Sequence, residues 1–207
     1  MYTTSQELTA TDWTIIGIVF LVGQAVALLG YNRLRHRYSW RMLGFRRPNK
    51  PWVWQTIGLA FVAFFTFLVA LFPIGLIGAI FELGYIESGS NDTTVEMFSS
   101  GVEVGGITAI LAFISVVILP PIVEEMFFRG VIHNTLRQRF GFWITTLVSS
   151  AIFGVVHIAP IAILHAFIMG VFLAWVYERY DSLWPPILIH IIRNGMVGVA
   201  LVLAFWG

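Results

Sequence analysis

Pro120-Pro121-Ile122-Val123-Glu124-Glu125-Met126-Phe127-Phe128-Arg129-Gly130 decides how this chain is read. Two adjacent carboxylates and an arginine stand at the end of an apolar run, residues 107–123, whose last residues include a double proline. A charge at the centre of a bilayer costs about 2.5–3.5 kcal/mol even on lenient scales, so charges kept there mark a working site. On a helix Glu125 and Arg129 are i,i+4 and face each other as an ion pair. Glu124 points about 100° further round the axis, towards whatever packs on the next face. The expectation is that Arg129 holds Glu125 and leaves Glu124 for chemistry. The plain alternative, three charges at a membrane boundary, is weakened by two later polar pairs on apolar helices, Phe153/His157 and His190/Asn194.

Composition sets the frame around that stretch. A chain of 207 residues that is 58% hydrophobic, with mean hydropathy +0.84, is no soluble globular domain. Several runs reach the roughly 20 apolar residues that a bilayer crossing needs. The formal charge of +1 gives no case for a nucleic-acid partner, and the absence of cysteine excludes disulfides, thiolate catalysis and cysteine-ligated zinc. Residues 1–12 are polar and lack the basic start of a cleavable signal, so an integral membrane protein is expected rather than a secreted one.

The charge pattern supplies a topology. Residues 13–31 form a first span, followed by a segment, 32–50, with seven Arg and Lys and no acid. Such a segment stays cytoplasmic, which places the N-terminus outside; contact with lipid headgroups is its expected further role. Residues 52–81 return as a second span, with Trp52 and Trp54 at the interface and Pro73 predicting a kink or an early end. Residues 82–105 carry five acids and no base and read as an external loop. A helix kinked at Pro120-Pro121 then descends over residues 106–140 to Arg137 and Arg139. Residues 142–157 rise as the next helix, residues 161–177 form a fifth, and 178–181 a charged turn. Trp184-Pro185-Pro186 opens the last helix, with proline where a first turn tolerates it. The expected fold is an all-α polytopic membrane bundle of about six transmembrane helices with both termini outside. It reads as one domain, 1–207, with a catalytic core over about 106–200.

Glu124 lies 17 residues before Gly141 and His157 lies 16 after it, so a hairpin turning at Gly141 brings the two side chains to about one height. A carboxylate and a histidine so placed can hold and deprotonate a water. His190 and Asn194, i,i+4 on the last helix, can aim donors at an oxyanion. Glu124, His157, His190 and Asn194 therefore fit amide hydrolysis without a covalent intermediate, with Glu125 and Arg129 as support. A zinc site drawn from Glu124, His157 and His190 uses the same atoms, although the short-range H-E-x-x-H pairing is absent. No G-x-S-x-G occurs, and Asp12, Asp92 and Asp181 fall in polar or boundary segments, so serine and aspartyl chemistry fit poorly. His36 reads as solvated, His133 as surface or a structural hydrogen bond, and His165 as a core histidine that could support the site. Phe127, Phe128 and Phe153 read as packing or groove walls.

Glu124-Glu125-x-x-x-Arg129, Phe153-x-x-x-His157 and His190-x-x-x-Asn194, in that order, resemble the three motifs of the CAAX protease and bacteriocin-processing family (CPBP, or Abi). That family includes the type II CAAX prenyl endopeptidases. The flanks Pro121-Ile122-Val123, Phe128-Arg129-Gly130 and Phe153-Gly154-Val155-Val156-His157 fit as well. Leu43-Gly44-Phe45-Arg46-Arg47 looks like the short motif these proteins often carry after their first span. The core resemblance covers about residues 120–194. It implies an intramembrane endopeptidase in the cell membrane whose site opens towards the cytoplasm and whose partners are the bilayer and a peptide or membrane-protein substrate. By motif position Glu124 and His157 would activate water, and His190 with Asn194 would stabilise the oxyanion. Older descriptions of the family call it a metallopeptidase; the residues here favour a cofactor-free glutamate mechanism, with zinc as the alternative. A non-catalytic immunity or scaffold protein is the rival from another class. A small transporter is a poorer fit, since the first two spans carry almost no polar residues.

Overall fold

The computed structural model describes residues 23, 39–80, 106–157 and 160–206. The expected first span, the acidic loop and both termini lie outside the described residues, and with them the count of six spans and the placement of the ends. Within the described residues the protein is all-helical, with five helices: α1 (Val53–Ile80), α2 (residues 106–137), α3 (Phe142–Val155), α4 (Pro160–Tyr180) and α5 (Trp184–Trp206). Two stretches, Ala109–Arg137 and Ala162–Tyr180, are long and apolar enough to cross a membrane.

The surface of α3 shows which solvent the fold is built for. Its buried face is Thr145, Thr146, Ser149, Ser150, Phe153 and Gly154, whereas Trp143, Ile144, Leu147, Val148, Ile152 and Val155 are exposed. Small and polar side chains face the protein and large apolar ones face out, the inverse of a water-soluble helix. Lipid removes the gain from hiding apolar surface, so small residues that let backbones approach take the interface instead. The approach is close: a Cβ on Gly154 would stand 2.8 Å from the carbonyl oxygen of Ile163, and one on Gly170 would stand 2.9 Å from Cβ of Ser150. The α3–α4 hairpin rests on these two glycines.

Helix α2 runs without a break through the double proline at which a kink is expected. Two segments of it, Ile114–Ile118 and Met126–His133, take the wider π geometry, and α-helical turns flank both. Pro120 and Pro121 have no N–H to give to the preceding turn. The chain widens just before them, and the Leu119 N–H bonds back to the Ile114 carbonyl. The wide turn thereby absorbs the clash that proline would cause in a regular helix. Helix α1 likewise runs through Pro73 to Ile80, so the early end expected there does not occur.

Three expected boundaries move. Helix α3 stops at Val155, and His157 sits in the turn after it, its N–H bonded to the Gly154 carbonyl at 2.9 Å. Helix α4 begins at Pro160 and continues to Tyr180, so Glu178, Arg179 and Tyr180 are its last turn rather than a loop. That turn is anchored: Glu178 accepts from His133 at 3.0 Å and from Arg137, both on α2. The chain reverses only at Asp181, which takes φ 51°.

Residues 39–50 are a docked element and not only a charged tether. Leu43 and Gly44 are buried, and Leu43 packs with Met126, Tyr177, Leu183 and Ile187 from three different segments. The Leu183 N–H bonds the Gly44 carbonyl at 2.9 Å, Ser182 donates to the Arg46 carbonyl, and Arg46 pairs with Asp181. Gly44 takes φ +103°, and a Cβ there would stand 2.9 Å from Leu183, so both conformation and space demand glycine. The loop ties the ends of α2, α4 and α5 together one turn away from the polar centre.

Candidate active site

Glu125 forms the foundation of the polar centre. Its side chain is wholly buried, and Oε1 accepts from Nη1 of Arg129 at 2.9 Å, the i,i+4 pair of the first motif. Arg129 is itself buried; Nη2 donates to the Gly170 carbonyl of α4 at 3.1 Å, and the guanidinium lies 4.8 Å over the Phe153 ring of α3. One arginine thus joins three helices through an ion pair, a hydrogen bond and a cation–π contact. A pair this deep in low dielectric needs such extra partners to offset the desolvation of both ions.

The same Oε1 also takes Nδ1 of His190, 3.1 Å away on α5. A carboxylate accepts only, so His190 turns its Nδ1–H to Glu125 and its Nε2 away from it. Nε2 stands 3.8 Å from Oε2 of Glu124, whose side chain is about a quarter exposed where Glu125 is sealed. The two neighbouring glutamates therefore differ as the 100° offset predicts: one is locked inside, the other lies at an accessible edge.

His157 comes to the other side chains through Phe153, from the turn that follows α3. Its Nδ1 donates to the Phe153 carbonyl at 2.8 Å. That bond fixes the tautomer and leaves Nε2 as the basic atom. The Phe153 ring lies 4.8 Å from the His157 ring and 6.1 Å from that of His190, so both imidazoles stand against one aromatic wall. Phe128 packs edge-on against the far side at 4.8 Å. Phe153 is thus the shared floor of both histidines and the arginine.

Asn194 sits one turn beyond His190, half-buried. Its Oδ1 accepts from Nη1 of Arg193 at 3.0 Å. Nη2 of Arg193 stands 3.1 Å from Nδ1 and 3.3 Å from Nε2 of His165 on α4. The sequence reading passed over Arg193; an arginine inside an otherwise apolar helix, next to a motif residue, was the signal available. His133, by contrast, is fully buried, bridging Ser149 at 3.3 Å and Glu178 at 3.0 Å. It is the structural hydrogen-bonding histidine of the two roles expected for it, away from the surface and apart from the polar centre.

The zinc alternative would need Glu124, His157 and His190 as one ligand set. Among the described residues no three His, Cys, Asp or Glu side chains are gathered to hold a metal. Glu124, His157 and His190 are therefore not drawn together as one ligand set in this structure.

Residues 106–196, the stretch holding all three motifs, match the family described as "Rce1-like: Type II CAAX prenyl endopeptidase". A protein of Bacillus subtilis (strain 168) named "Putative membrane peptidase YdiL" is 32% identical over 152 residues, which covers 69% of this chain and 57% of that protein. The chain therefore spans little more than half the length of this curated relative. No solved structure matches it. The resemblance carried by the three motifs is thereby shown: over residues 106–196 this chain is similar to the Rce1-like type II CAAX prenyl endopeptidases.

Proposed function

We propose that the chain is a membrane-embedded endopeptidase that hydrolyses a peptide bond in a membrane-associated substrate, with water activated by Glu124 and His157. The observation that carries this reading is the unequal environment of the two glutamates. Glu125 is consumed by Arg129 and His190, which leaves Glu124 as the accessible carboxylate, 3.8 Å from Nε2 of His190. A general base must reach its water and keep a free lone pair, and Glu124 meets both needs.

In this mechanism Glu124 takes a proton from water, aided by Nε2 of His157, and the hydroxide adds to the scissile carbonyl. The oxyanion receives hydrogen bonds from His190 Nε2 and Asn194 Nδ2. To donate from Nε2 while Nδ1–H bonds Glu125, His190 acts as the imidazolium, with Glu125 and Glu124 as counter-charges. Such donors act in a site where water is scarce and charge is poorly screened, so each contributes about 3–4 kcal/mol to the transition state. Glu124 then returns its proton to the leaving amine.

In this reading the end that bears residues 39–50 is cytoplasmic, because its basic residues stay inside, and the substrate enters from that end. Exposed Trp54, Trp143 and Trp184 lie at that end, as an interfacial belt would. His190 is six residues along α5 from Trp184, about 9 Å deeper. That depth suits a substrate bond near the headgroups, in a prenylated C-terminus or a leader peptide.

The test is cleavage by purified protein in nanodiscs of quenched-fluorescence peptides, farnesylated and unmodified, compared with Glu124→Ala. Turnover by the parent protein and none by the variant supports the proposal. Equal signals from both, or binding without cleavage, would favour the non-catalytic immunity or scaffold role.

A further inference from the structure

We infer that Arg193 is a positioning residue that fixes which end of the Asn194 amide faces the reacting carbonyl. The inference rests on the hydrolytic reading above and extends it to a residue outside the three motifs.

A side-chain amide is nearly symmetric in shape but opposite in chemistry at its two ends. Presented by Nδ2 it donates to an oxyanion; rotated by a half-turn it presents Oδ1, an acceptor that repels the same charge. Sequence position alone does not choose between them. A guanidinium does, because it carries donors and no acceptor. With Nη1 of Arg193 on Oδ1 at 3.0 Å, that oxygen is held away and Nδ2 is left to face the other direction.

The clamp works only if Arg193 is itself held. Neighbouring side chains on a helix point about 100° apart, so the i,i+1 contact with Asn194 requires Arg193 to fold back along α5. His165 supplies the restraint from α4, within 3.1 Å of Nη2. The guanidinium therefore bridges two helices, spending one amino group on each. A lysine has one nitrogen and could satisfy one partner at a time. The charge has a further consequence: Glu124 and Arg193 interact electrostatically, so the cation lies within reach of the same centre that develops the oxyanion.

This assigns a task to the half-buried histidine of α4 as well. His165 does not touch the reacting atoms in this scheme; it is the wall against which Arg193 is set.

A double-mutant cycle tests the inference, using whichever reporter peptide the parent protein cleaves. Asn194→Ala is expected to lower kcat by about 10²–10³-fold, as loss of one oxyanion donor does elsewhere. Arg193→Ala is expected to lower kcat by at least tenfold with KM changed less than threefold. In Asn194→Ala protein, the further change Arg193→Ala should then alter kcat by less than twofold, because an arginine that acts through the amide has nothing left to orient. Independent, multiplying losses would overturn the inference while leaving the hydrolytic reading in place. So would a loss confined to KM. If Asn194→Ala turns over normally, the oxyanion assignment fails and this inference falls with it. Arg193→Lys covers the case in which the alanine variant does not fold. It keeps the charge and should still lose at least fivefold in kcat in the parent protein and less than twofold in Asn194→Ala. Full activity in Arg193→Lys would show that charge alone suffices and would overturn the orienting role.

Discussion

Nδ1 of His190 stands 3.1 Å from Oε1 of Glu125, on the oxygen that Arg129 also holds. The carboxylate is the hinge between a structural ion pair and a working histidine, so damage to the pair should appear in both stability and turnover. Arg129→Ala leaves a buried carboxylate with its cation gone and should destabilise the fold by about 3–5 kcal/mol. Tryptophan-monitored unfolding in detergent measures this. The double change Glu125→Leu with Arg129→Met should recover much of the stability and none of the activity, since His190 is then without its orienting acceptor. An Arg129→Ala protein as stable as the parent would refute the structural part.

Glu124→Gln keeps the shape of the accessible carboxylate and removes its basicity. Turnover should fall by about 10²–10⁴-fold or more with the unfolding midpoint unchanged. Glu125→Gln should differ by lowering the midpoint as well, because it strips Arg129 of its counter-charge. A pair of variants alike in both readouts would mean that the two glutamates are not divided in role.

Metal dependence separates the two mechanisms directly. Activity should survive strong chelation followed by gel filtration, and elemental analysis of active protein should find far less than one zinc per chain. A zinc enzyme would lose activity with its metal and regain it on stoichiometric addition.

The docked loop makes a stability prediction remote from the chemistry. A Cβ at Gly130 would stand 2.8 Å from the Leu43 carbonyl oxygen, a backbone atom that cannot rotate aside. Gly130→Ala should therefore destabilise by about 1–3 kcal/mol through overpacking. Gly141→Ala is the control: nothing lies within 4 Å of the added carbon and φ is −68°, so the change should stay within about 0.5 kcal/mol.

Much of this centre is legible in the chain because its spacings are helical. Glu125 and Arg129 at i,i+4 pair as their interval dictates, and the offset of Glu124 follows from the same geometry. The hairpin arithmetic about Gly141 also points His157 towards the polar centre, although a turn and not a helix presents it. What spacing does not carry is contact between distant segments. Leu43 meeting Gly130, and Glu178 reaching His133 and Arg137, depend on how helices lean together. The charges in the last turn of α4 look like those of a solvated loop; the partners that keep it helical sit on α2, over forty residues away. Arg193 shows another limit. A positive charge beside a motif is easily taken for topology, and only the Asn194 and His165 distances give it a task.

The wide turns of α2 have a consequence for how this protein tolerates change in length. A π segment holds roughly one residue more than an α turn of equal reach, a spare residue stored upstream of the glutamates in Ile114–Ile118. Removing a single residue there need not break the helix; the segment could tighten to ordinary α geometry and stay apolar throughout. The wide turn and an ordinary turn one residue shorter sweep nearly the same arc, so everything beyond it would keep its bearing. A residue removed from an α-helical part of α2 meets no such slack and would turn Glu124 and Glu125 by about 100° away from Phe153 and α5, in a chain of nearly unaltered hydropathy. Along α2 frame, rather than composition, thus separates an active molecule from a silent one, and the wide turn is the place where frame is forgiven.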